Sequence, residues 1–225
     1  MRSLLHGVFD PQSRMIRLIL AEKGLTVRLG PISPQDAQEE LAGHNPAMTV
    51  PVLIDEAPSG QELSISPASA IAEYLEEVYG APLLFPSTSA GRAETRRLIA
   101  WFCDKMEEEV IARTVRIKID HVQLGRSHTD ENAEAAAEAL AWHLDYLSWL
   151  LEKRAWLAGE QFTVADLTGG AYFSTLDYLG IVPWRDFPHV KEWYQHLKSR
   201  PSFQPLLKER VDGLPPPAHY ANLDF

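Results

Sequence analysis

The sequence predicts two domains of different class, a small α/β domain over residues 1–80 and an all-helical domain over residues 90–210. In the first domain, short apolar runs alternate with segments whose apolar residues recur at helical spacing. Residues 81–89 contain two prolines and two serines, which is typical of a linker. After the linker the apolar spacing is helical throughout, and residues 211–225 form a proline-rich tail.

The α/β domain has the predicted order strand, helix, strand, helix, strand, strand, helix. The first helical pattern stops at Gly24, and Ser33–Pro34 joins a hydroxyl N-cap to a proline at the first helical position. The turn residues Pro58–Ser59–Gly60 predict an antiparallel pair of flanking strands. The predicted strands are residues 4–8, 25–29, 50–54 and 63–65, and the predicted helices begin at Ser13, Ser33 and Pro67.

Four helical stretches are predicted after the linker. Residues 92–125 fit one long helix or two stacked ones, and residues 130–153 carry a leucine stripe at i, i+4, i+7 and i+11. Residues 163–166, Thr-Val-Ala-Asp, have the spacing of a capping box and begin a third helix. The fourth is residues 188–200, which Pro201 stops. The stripe consists of Leu140, Leu144, Leu147 and Leu151.

Composition places the chain among folded globular proteins, because 45% of its 225 residues are hydrophobic. The net charge of −10 disfavours nonspecific binding to nucleic acid and to anionic membranes. The apolar runs are far shorter than the roughly 20 residues of a membrane-spanning helix. The N-terminus has no long apolar segment followed by a small-residue cleavage site. We therefore expect a cytoplasmic protein without membrane insertion or nucleic-acid binding.

The chain contains a single cysteine, Cys103, so an internal disulfide is impossible. A reactive thiolate needs a basic neighbour or a helix N-terminus. Because Cys103 lies in the middle of a helical pattern, we expect a buried, small apolar side chain.

Three motifs resemble segments of glutathione transferases: residues 45–53 with Asn45–Pro46 and Val50–Pro51, residues 70–75, and residues 157–166. The resemblance covers residues 1 to about 210. It implies a thioredoxin-like N-terminal domain and an all-α C-terminal domain, which is the glutathione transferase fold. It also implies a cis Val50–Pro51 bond, which places the Val50 backbone where a bound thiol peptide pairs with it.

The position that activates the thiol departs from the family pattern. Transferases use a Tyr or Ser hydroxyl, or a Cys, just after the first strand, whereas this chain has Asp10-Pro11-Gln12-Ser13 where Ser-Pro-x-Ser or Cys-Pro-x-Cys is usual. Asp10 occupies the activating position, and an ionised carboxylate repels a thiolate. Two roles remain for Ser13. It donates a hydrogen bond to a ligand, or it belongs to the cap or first turn of the helix.

The start of the third helix departs as well. In the family an acid–Ser pair there holds the glutamyl end of glutathione, and this chain has Pro67–Ala68 instead. Proline lacks an amide donor and alanine lacks the hydroxyl. We expect Ser66 to cap the helix and Pro67 to be its first residue. The site is thus predicted to be degenerate at Asp10, Ser13, Val50, Pro51, Pro67 and Ala68, with no catalytic residue, cofactor or metal. The alternative is a thiol transferase or isomerase with an atypical site.

Two segments are candidates for binding a partner. Arg113, Arg116 and Arg126 belong to a locally basic stretch, which docks an acidic partner, pairs with the acids at residues 107–109, or is a solvated face. Arg113 and Arg116 are expected to share a helical face. The tail is either a strap on the helical domain or a docking peptide, and both can hold. Its candidate contact residues are Tyr220, Leu223, Asp224 and Phe225.

The degenerate site and the tail are similar to those of a transferase-like bacterial division protein that binds the tubulin homologue FtsZ. This resemblance implies a non-catalytic homodimer that bundles FtsZ filaments and supports constriction at the division site. A dimer presents two copies of any docking surface, which is what bridging two filaments requires. FtsZ is acidic, which suits the basic segment.

Overall fold

The computed structural model describes residues 2–33, 35–56, 60–125 and 133–224. The chain divides into two compact units between Phe85 and Pro86. Several predicted features lie outside the described residues: the helix start at Pro34, the turn residues Pro58 and Ser59, the helix start at Asp130, and the partner-binding candidates Arg126 and Phe225. In the described part of the chain, no helix is long and apolar enough to cross a membrane.

The first unit is built on a mixed sheet with the strand order β2-β1-β3-β4. β1 pairs in parallel with β2 and antiparallel with β3, and β3 pairs antiparallel with β4. The predicted antiparallel pair is therefore confirmed. The strands are β1 Ser3–His6, β2 Arg28–Pro31, β3 Val52–Glu56 and β4 Glu62–Ile65.

Three helices complete the first unit: α1 Pro11–Glu22, α2 Ala37–Leu41 and α3 Ala68–Val78. α1 packs against α3. The second strand begins three residues later than predicted, because the Leu25 amide donates to Leu20 O at 2.8 Å and so still belongs to the end of α1. Gly24 makes this turn possible with a φ of +64°, in the left-handed region.

The second unit is helical, and α7 is its centre, since all fifteen residues of this helix are buried. The predicted helices over residues 130–153 and 188–200 are present in the described residues, and they end at Leu151 and Lys198, two residues earlier than predicted. Leu140, Leu144 and Leu147 are buried as the stripe predicts, whereas Leu151 is only partly buried. The α-helices are α4 Ser89–Ala100, α5 Val115–Leu124, α6 Ala133–Leu151, α7 Val164–Tyr178, α8 Pro188–Lys198 and α9 Gln204–Lys208, with 3₁₀ turns at Trp184–Asp186 and Pro201–Phe203.

The stretch predicted as one long helix or two is three segments. α4 continues as a π-helical segment, Trp101–Ile111, and a turn over residues 112–114 then precedes α5. The prediction that Arg113 and Arg116 share a helical face is therefore wrong, because Arg113 lies in the turn and Arg116 in the first turn of α5. Cys103, in the π-helical segment, is partly rather than fully buried.

The predicted capping box at the start of α7 is confirmed. Asp166 Oδ2 accepts the Thr163 amide at 2.9 Å, and Oδ1 accepts the Leu157 amide at 2.9 Å and Trp193 Nε1 at 3.0 Å. Burial raises the pKa of Asp166 to about 6, against the lowering effect of these donors. One carboxylate thus joins the loop before α7, the helix itself and α8.

Candidate functional site

The loop between β1 and α1 is closed by the chain's own hydrogen bonds. Asp10 is the N-cap of α1, and its Oδ2 accepts the Ser13 amide at 2.7 Å. Ser13 is fully buried, and its Oγ accepts the Gly7 amide at 3.1 Å. The Asp10 carboxylate is therefore engaged by the helix start, and the Ser13 hydroxyl faces the loop interior rather than a ligand.

Gly7 allows a close approach between this loop and Val50. A Cβ atom built on Gly7 would lie 2.9 Å from Asp10 Cβ and 3.4 Å from Val50 Cγ2. The loop thus brings Asp10, Ser13 and Val50 together, as expected for the thiol site. Any larger residue at position 7 would push the Asp10 cap away from the helix start.

The Val50–Pro51 bond is cis, which confirms the prediction. Asn45 shapes the loop in front of it, because its Nδ2 donates to Thr49 O at 2.7 Å and its Oδ1 accepts the Ala47 amide at 3.1 Å. Pro51 is buried and precedes β3, whereas Val50 is partly exposed. The loop in front of β3 is thus held by hydrogen bonds of its own Asn45 side chain.

The start of α3 differs from the prediction. Pro67 is the N-cap, with φ −76° and ψ −172°, and its carbonyl accepts the Ile71 amide at 3.1 Å. The predictions that Ser66 caps α3 and that Pro67 is its first helical residue are wrong, because the extended conformation of Pro67 shifts the cap by one residue. α3 has no side-chain cap, and Ala68, its first residue, is fully buried.

These positions limit what the site can do chemically. Among residues 7–14 the only hydroxyl is that of Ser13, and the loop has no cysteine. Because Ser13 is buried, the loop presents a carboxylate, not a hydroxyl, at the activating position. In transferases the start of this helix binds the glutamyl carboxylate of glutathione. Here Pro67 has no backbone N–H to donate, and Ala68 has no side-chain donor.

The basic segment is partly neutralised by the acids that precede it. The Arg116 guanidinium donates to Glu107 Oε1 at 2.6 Å, while 51% of the Arg116 side chain remains exposed. Glu107 also accepts the Tyr172 hydroxyl at 3.1 Å. Arg113 is partly exposed in the turn before α5. The segment therefore combines a structural ion pair with cationic surface.

The tail packs on the second unit as a strap as far as Tyr220. Tyr220 is fully buried, its hydroxyl donates to Leu206 O at 3.0 Å, and its ring lies edge-on to Tyr178 at 5.0 Å. The Tyr178 hydroxyl donates to Leu214 O at 2.8 Å and accepts the Val211 amide at 2.8 Å. In contrast to the expectation that Tyr220 contacts a partner, its ring anchors the tail to the helices.

A buried ion pair lies beneath the same strap. Asp177 and Lys198 have fully buried side chains with 3.4 Å between Oδ2 and Nζ. Asp177 Oδ1 also accepts Trp184 Nε1 at 2.9 Å and lies 3.0 Å from His219 Nε2. Burial raises the pKa of Asp177 and lowers that of Lys198. His219 thereby connects the tail to α7.

Residues 221–224, which follow Tyr220, are exposed. Leu223 is an exposed hydrophobic residue at 37% exposure, and Asp224 is exposed beside it. The Asp224 amide donates to Asn222 Oδ1 at 3.0 Å, so the end of the chain turns rather than extending freely. Of the predicted tail contacts that the structure describes, Leu223 and Asp224 are therefore accessible.

Sequence reasoning missed a surface that we call the aromatic ladder, formed by Trp101, Trp142, Tyr146 and Trp149. Trp101 stacks on Trp142 with centroids 5.3 Å apart, and Tyr146 stacks on Trp149 at 6.2 Å. Trp142 and Trp149 are 51% and 52% exposed. The signal was present in the sequence as aromatic residues at i, i+4 and i+7, on the face of the helix away from the leucine stripe.

Two family models match this chain. The model for the glutathione S-transferase N-terminal domain matches residues 11–78, and the model for the C-terminal domain matches residues 102–201. FtsZ-localized protein A of Caulobacter vibrioides is 40% identical to this chain over 225 residues, which are 100% of this chain and 98% of that relative.

Two solved structures are similar to this chain over its whole length. FzlA from C. crescentus has a TM-score of 0.94 at 39% identity and covers 100% of this chain and 99% of its own. A glutathione S-transferase from Rhodospirillum rubrum has a TM-score of 0.94 at 43% identity and covers 100% of both chains.

Proposed function

We propose that this chain, which belongs to the glutathione S-transferase family, acts as a non-catalytic protein that binds FtsZ filaments, bundles them as a homodimer and supports constriction during cell division. The observation that carries the proposal is the 40% identity to FtsZ-localized protein A, which extends over the full length of both proteins. The tail lies within this match, so the likeness is not limited to the transferase scaffold.

The geometry of the thiol site supports a role without catalysis. The Asp10 carboxylate caps α1, the Ser13 hydroxyl is buried against Gly7, and α3 begins without a side-chain cap at Pro67–Ala68. Each polar contact missing from a small-ligand site costs about 0.5–1.5 kcal/mol of affinity. Thiol activation also requires a donor to the thiolate, and Asp10 supplies negative charge instead.

We place filament binding on the exposed end of the tail and the basic segment. Leu223 and Asp224 lie within four residues of the Tyr220 anchor, which holds this part of the tail on the helices, and Phe225 is the next residue in the sequence. Arg113, Arg116 and Arg126 supply positive charge toward an acidic filament. In a homodimer both surfaces occur twice, so one dimer bridges two filaments. The expected location is the cytoplasm at the division site.

Replacing Leu223 with glutamate is expected to weaken binding to FtsZ filaments at least about tenfold, because it places a charge where an exposed apolar side chain contacts the partner. The measurement is co-sedimentation of the full chain with GTP-assembled FtsZ over a range of concentrations. Leu29→Glu is the matched control, because Leu29 is 42% exposed in the other unit. Wild-type pelleting by the Leu223 variant would remove the tail from the interface, and no pelleting by the wild type would remove FtsZ as the partner.

A transferase or isomerase with an atypical site is the second candidate. The loop before Pro51 favours it, because Asn45 holds this family segment in shape through its hydrogen bonds to Thr49 O and the Ala47 amide. Calorimetric titration with reduced glutathione decides between the two. Our proposal expects no binding at millimolar glutathione, whereas saturable heat at that concentration would favour an enzyme.

A further inference from the structure

Three consecutive acids of the π-helical segment have three different surroundings. Glu107 faces α5 and α7, Glu108 is exposed to solvent, and Glu109 pairs with Lys105. The Ala112 amide donates to Glu107 O at 2.8 Å, five residues back, so Glu107 lies within a π-helical turn. Such turns are frequent at functional sites. Glu107 is thus the acid of this run that connects the basic segment to the interior of the second unit.

The Glu107 carboxylate is held from the buried side. Its Oε2 accepts the Tyr172 hydroxyl at 3.1 Å, and Tyr172 is fully buried in α7. Its Oε1 accepts Arg116 Nε at 2.6 Å and also lies 2.6 Å from Arg116 Nη2. Because the two oxygens have different partners, the carboxylate cannot rotate without breaking one of these contacts. A side chain fixed by the core therefore determines where the Arg116 guanidinium lies.

Arg116 is oriented by Glu107 and is still accessible. The Glu107 side chain is only 15% exposed, whereas 51% of the Arg116 side chain is exposed. An exposed arginine ordinarily has many rotamers, and the loss of that freedom on binding lowers affinity. A guanidinium that is already oriented loses less, and its planar set of donors suits the carboxylates of an acidic partner.

The other end of α5 adjoins the start of the tail. A Cβ atom built on Gly213 would lie 3.3 Å from Val122 Cγ1. Arg116 and Val122 are six residues apart in α5, which corresponds to about 9 Å along the helix axis. Arg116 is thus close enough to the tail for both to contact one partner surface of ordinary size.

Two roles of Glu107 predict effects of opposite sign. If Glu107 only neutralises Arg116, its removal leaves more positive charge and strengthens binding to an acidic partner. If Glu107 orients Arg116, its removal weakens binding although the surface becomes more positive. The hydrogen bond from Tyr172 favours orientation, because it fixes the carboxylate in a way that neutralisation does not require.

We propose that Glu107 is a positioning residue, which holds Arg116 in the orientation that binds the carboxylates of an acidic partner protein. This role rests on the proposed function, because it identifies how the basic segment recognises the filament. Tyr172 supports the Glu107 carboxylate from beneath, and its burial keeps it away from the partner.

Glu107→Ala is expected to weaken binding to FtsZ filaments about three- to tenfold, because Arg116 loses its orientation. Co-sedimentation of the full chain with GTP-assembled FtsZ measures the change. Glu108→Ala is the matched control, because it removes the same charge from the neighbouring exposed position, and its binding is expected to be unchanged or slightly stronger. Binding by the Glu107 variant at or above the wild-type level, or equal weakening by both variants, overturns the positioning role.

Tyr172→Phe tests the same contacts without changing any charge. It keeps the pair of Glu107 with Arg116 and removes the hydroxyl that fixes the carboxylate, so binding is expected to weaken about two- to threefold. Circular dichroism shows whether the variants are folded. If Glu107→Ala unfolds, Glu107→Gln takes its place, because it keeps a side-chain oxygen for the Tyr172 hydroxyl but holds a guanidinium less firmly. Wild-type binding by the folded Tyr172 variant would overturn the support from beneath.

A double-variant cycle tests whether Glu107 acts through Arg116. Arg116→Ala is expected to weaken binding about tenfold, and adding Glu107→Ala to it is expected to cause no further loss. A merely structural role for Glu107 would not depend on Arg116. A further loss as large as that of Glu107→Ala alone therefore overturns the positioning role.

Nuclear magnetic resonance without FtsZ separates the positioning role from the proposed function. The Arg116 Nε–H proton is expected to exchange at least about tenfold more slowly in the wild type than in Glu107→Ala, because Glu107 Oε1 accepts it. Slow exchange in a wild type that does not pellet with FtsZ would support the orientation of Arg116 and contradict the proposed function. Equal exchange in both proteins would overturn the positioning role, even if the wild type pellets with filaments.

Discussion

Asp166→Ala is expected to lower the free energy of unfolding by about 3–5 kcal/mol, because it strands buried donors from three parts of the second unit. The Leu157 amide, the Thr163 amide and Trp193 Nε1 all donate to this carboxylate at 2.9–3.0 Å. Asp166 is fully buried, so water does not simply replace it. The substitution also removes the capping box at the start of α7, whose residues are all buried.

Urea denaturation at pH 7.5, followed by far-ultraviolet circular dichroism, measures this effect. Asp186→Ala is the matched control, because Asp186 is an exposed acid in the same unit, and its replacement is expected to change the stability by less than about 0.5 kcal/mol. A loss below about 1 kcal/mol for Asp166→Ala would contradict the central role that we assign to this carboxylate.

Tyr220→Ala is expected to release the tail from the helices. The backbone amides at positions 220 and 222 are then expected to exchange hydrogen at least about 100-fold faster. The substitution removes a fully buried ring that packs against Tyr178 and donates to Leu206 O. The His219 contact to Asp177 does not compensate, because His219 is partly exposed and depends on the same turn. The measurement is native-state hydrogen exchange with mass spectrometry.

Tyr220→Phe provides the control for this prediction. It keeps the ring and loses only the hydrogen bond to Leu206 O, so we expect about a tenfold change in exchange or less. Unchanged exchange in Tyr220→Ala would show that the ring is not the anchor. If the tail end binds FtsZ, the Ala variant also pellets less with filaments than the Phe variant, because it no longer holds Leu223 in place.

Much of the fold was predictable because the signals are local. The family models confirm the glutathione transferase fold, and the capping box at Thr163–Asp166 and the antiparallel β3–β4 pair are also confirmed. The residues at which helices and strands begin and end were less predictable. The break at residues 112–114 leaves no sequence signal, because apolar spacing does not distinguish α from π backbone or a short turn.

The candidate site was predictable in its positions but not in its contacts. The sequence places Asp10 and Ser13 after the first strand, yet an aspartate suits a helix cap and a ligand site equally well. The hydrogen bonds to the Ser13 and Gly7 amides decide between them, and these depend on the loop path. The shift of the α3 cap to Pro67 similarly follows from its backbone angles, which the residue type leaves open.

By itself, the sequence determined the class of each domain, the order of strands and helices in the first unit, and the cis bond that the family resemblance implied at Pro51. Only the tertiary structure decided which side chains turn inward: the polar groups of Ser13, Asp177 and Tyr220 are buried, whereas the large hydrophobic side chains of Leu223 and Trp142 are exposed. The physical reason is that periodicity and capping act within a few residues of the chain. Burial and hydrogen bonding depend instead on which distant groups the fold brings within about 3 Å.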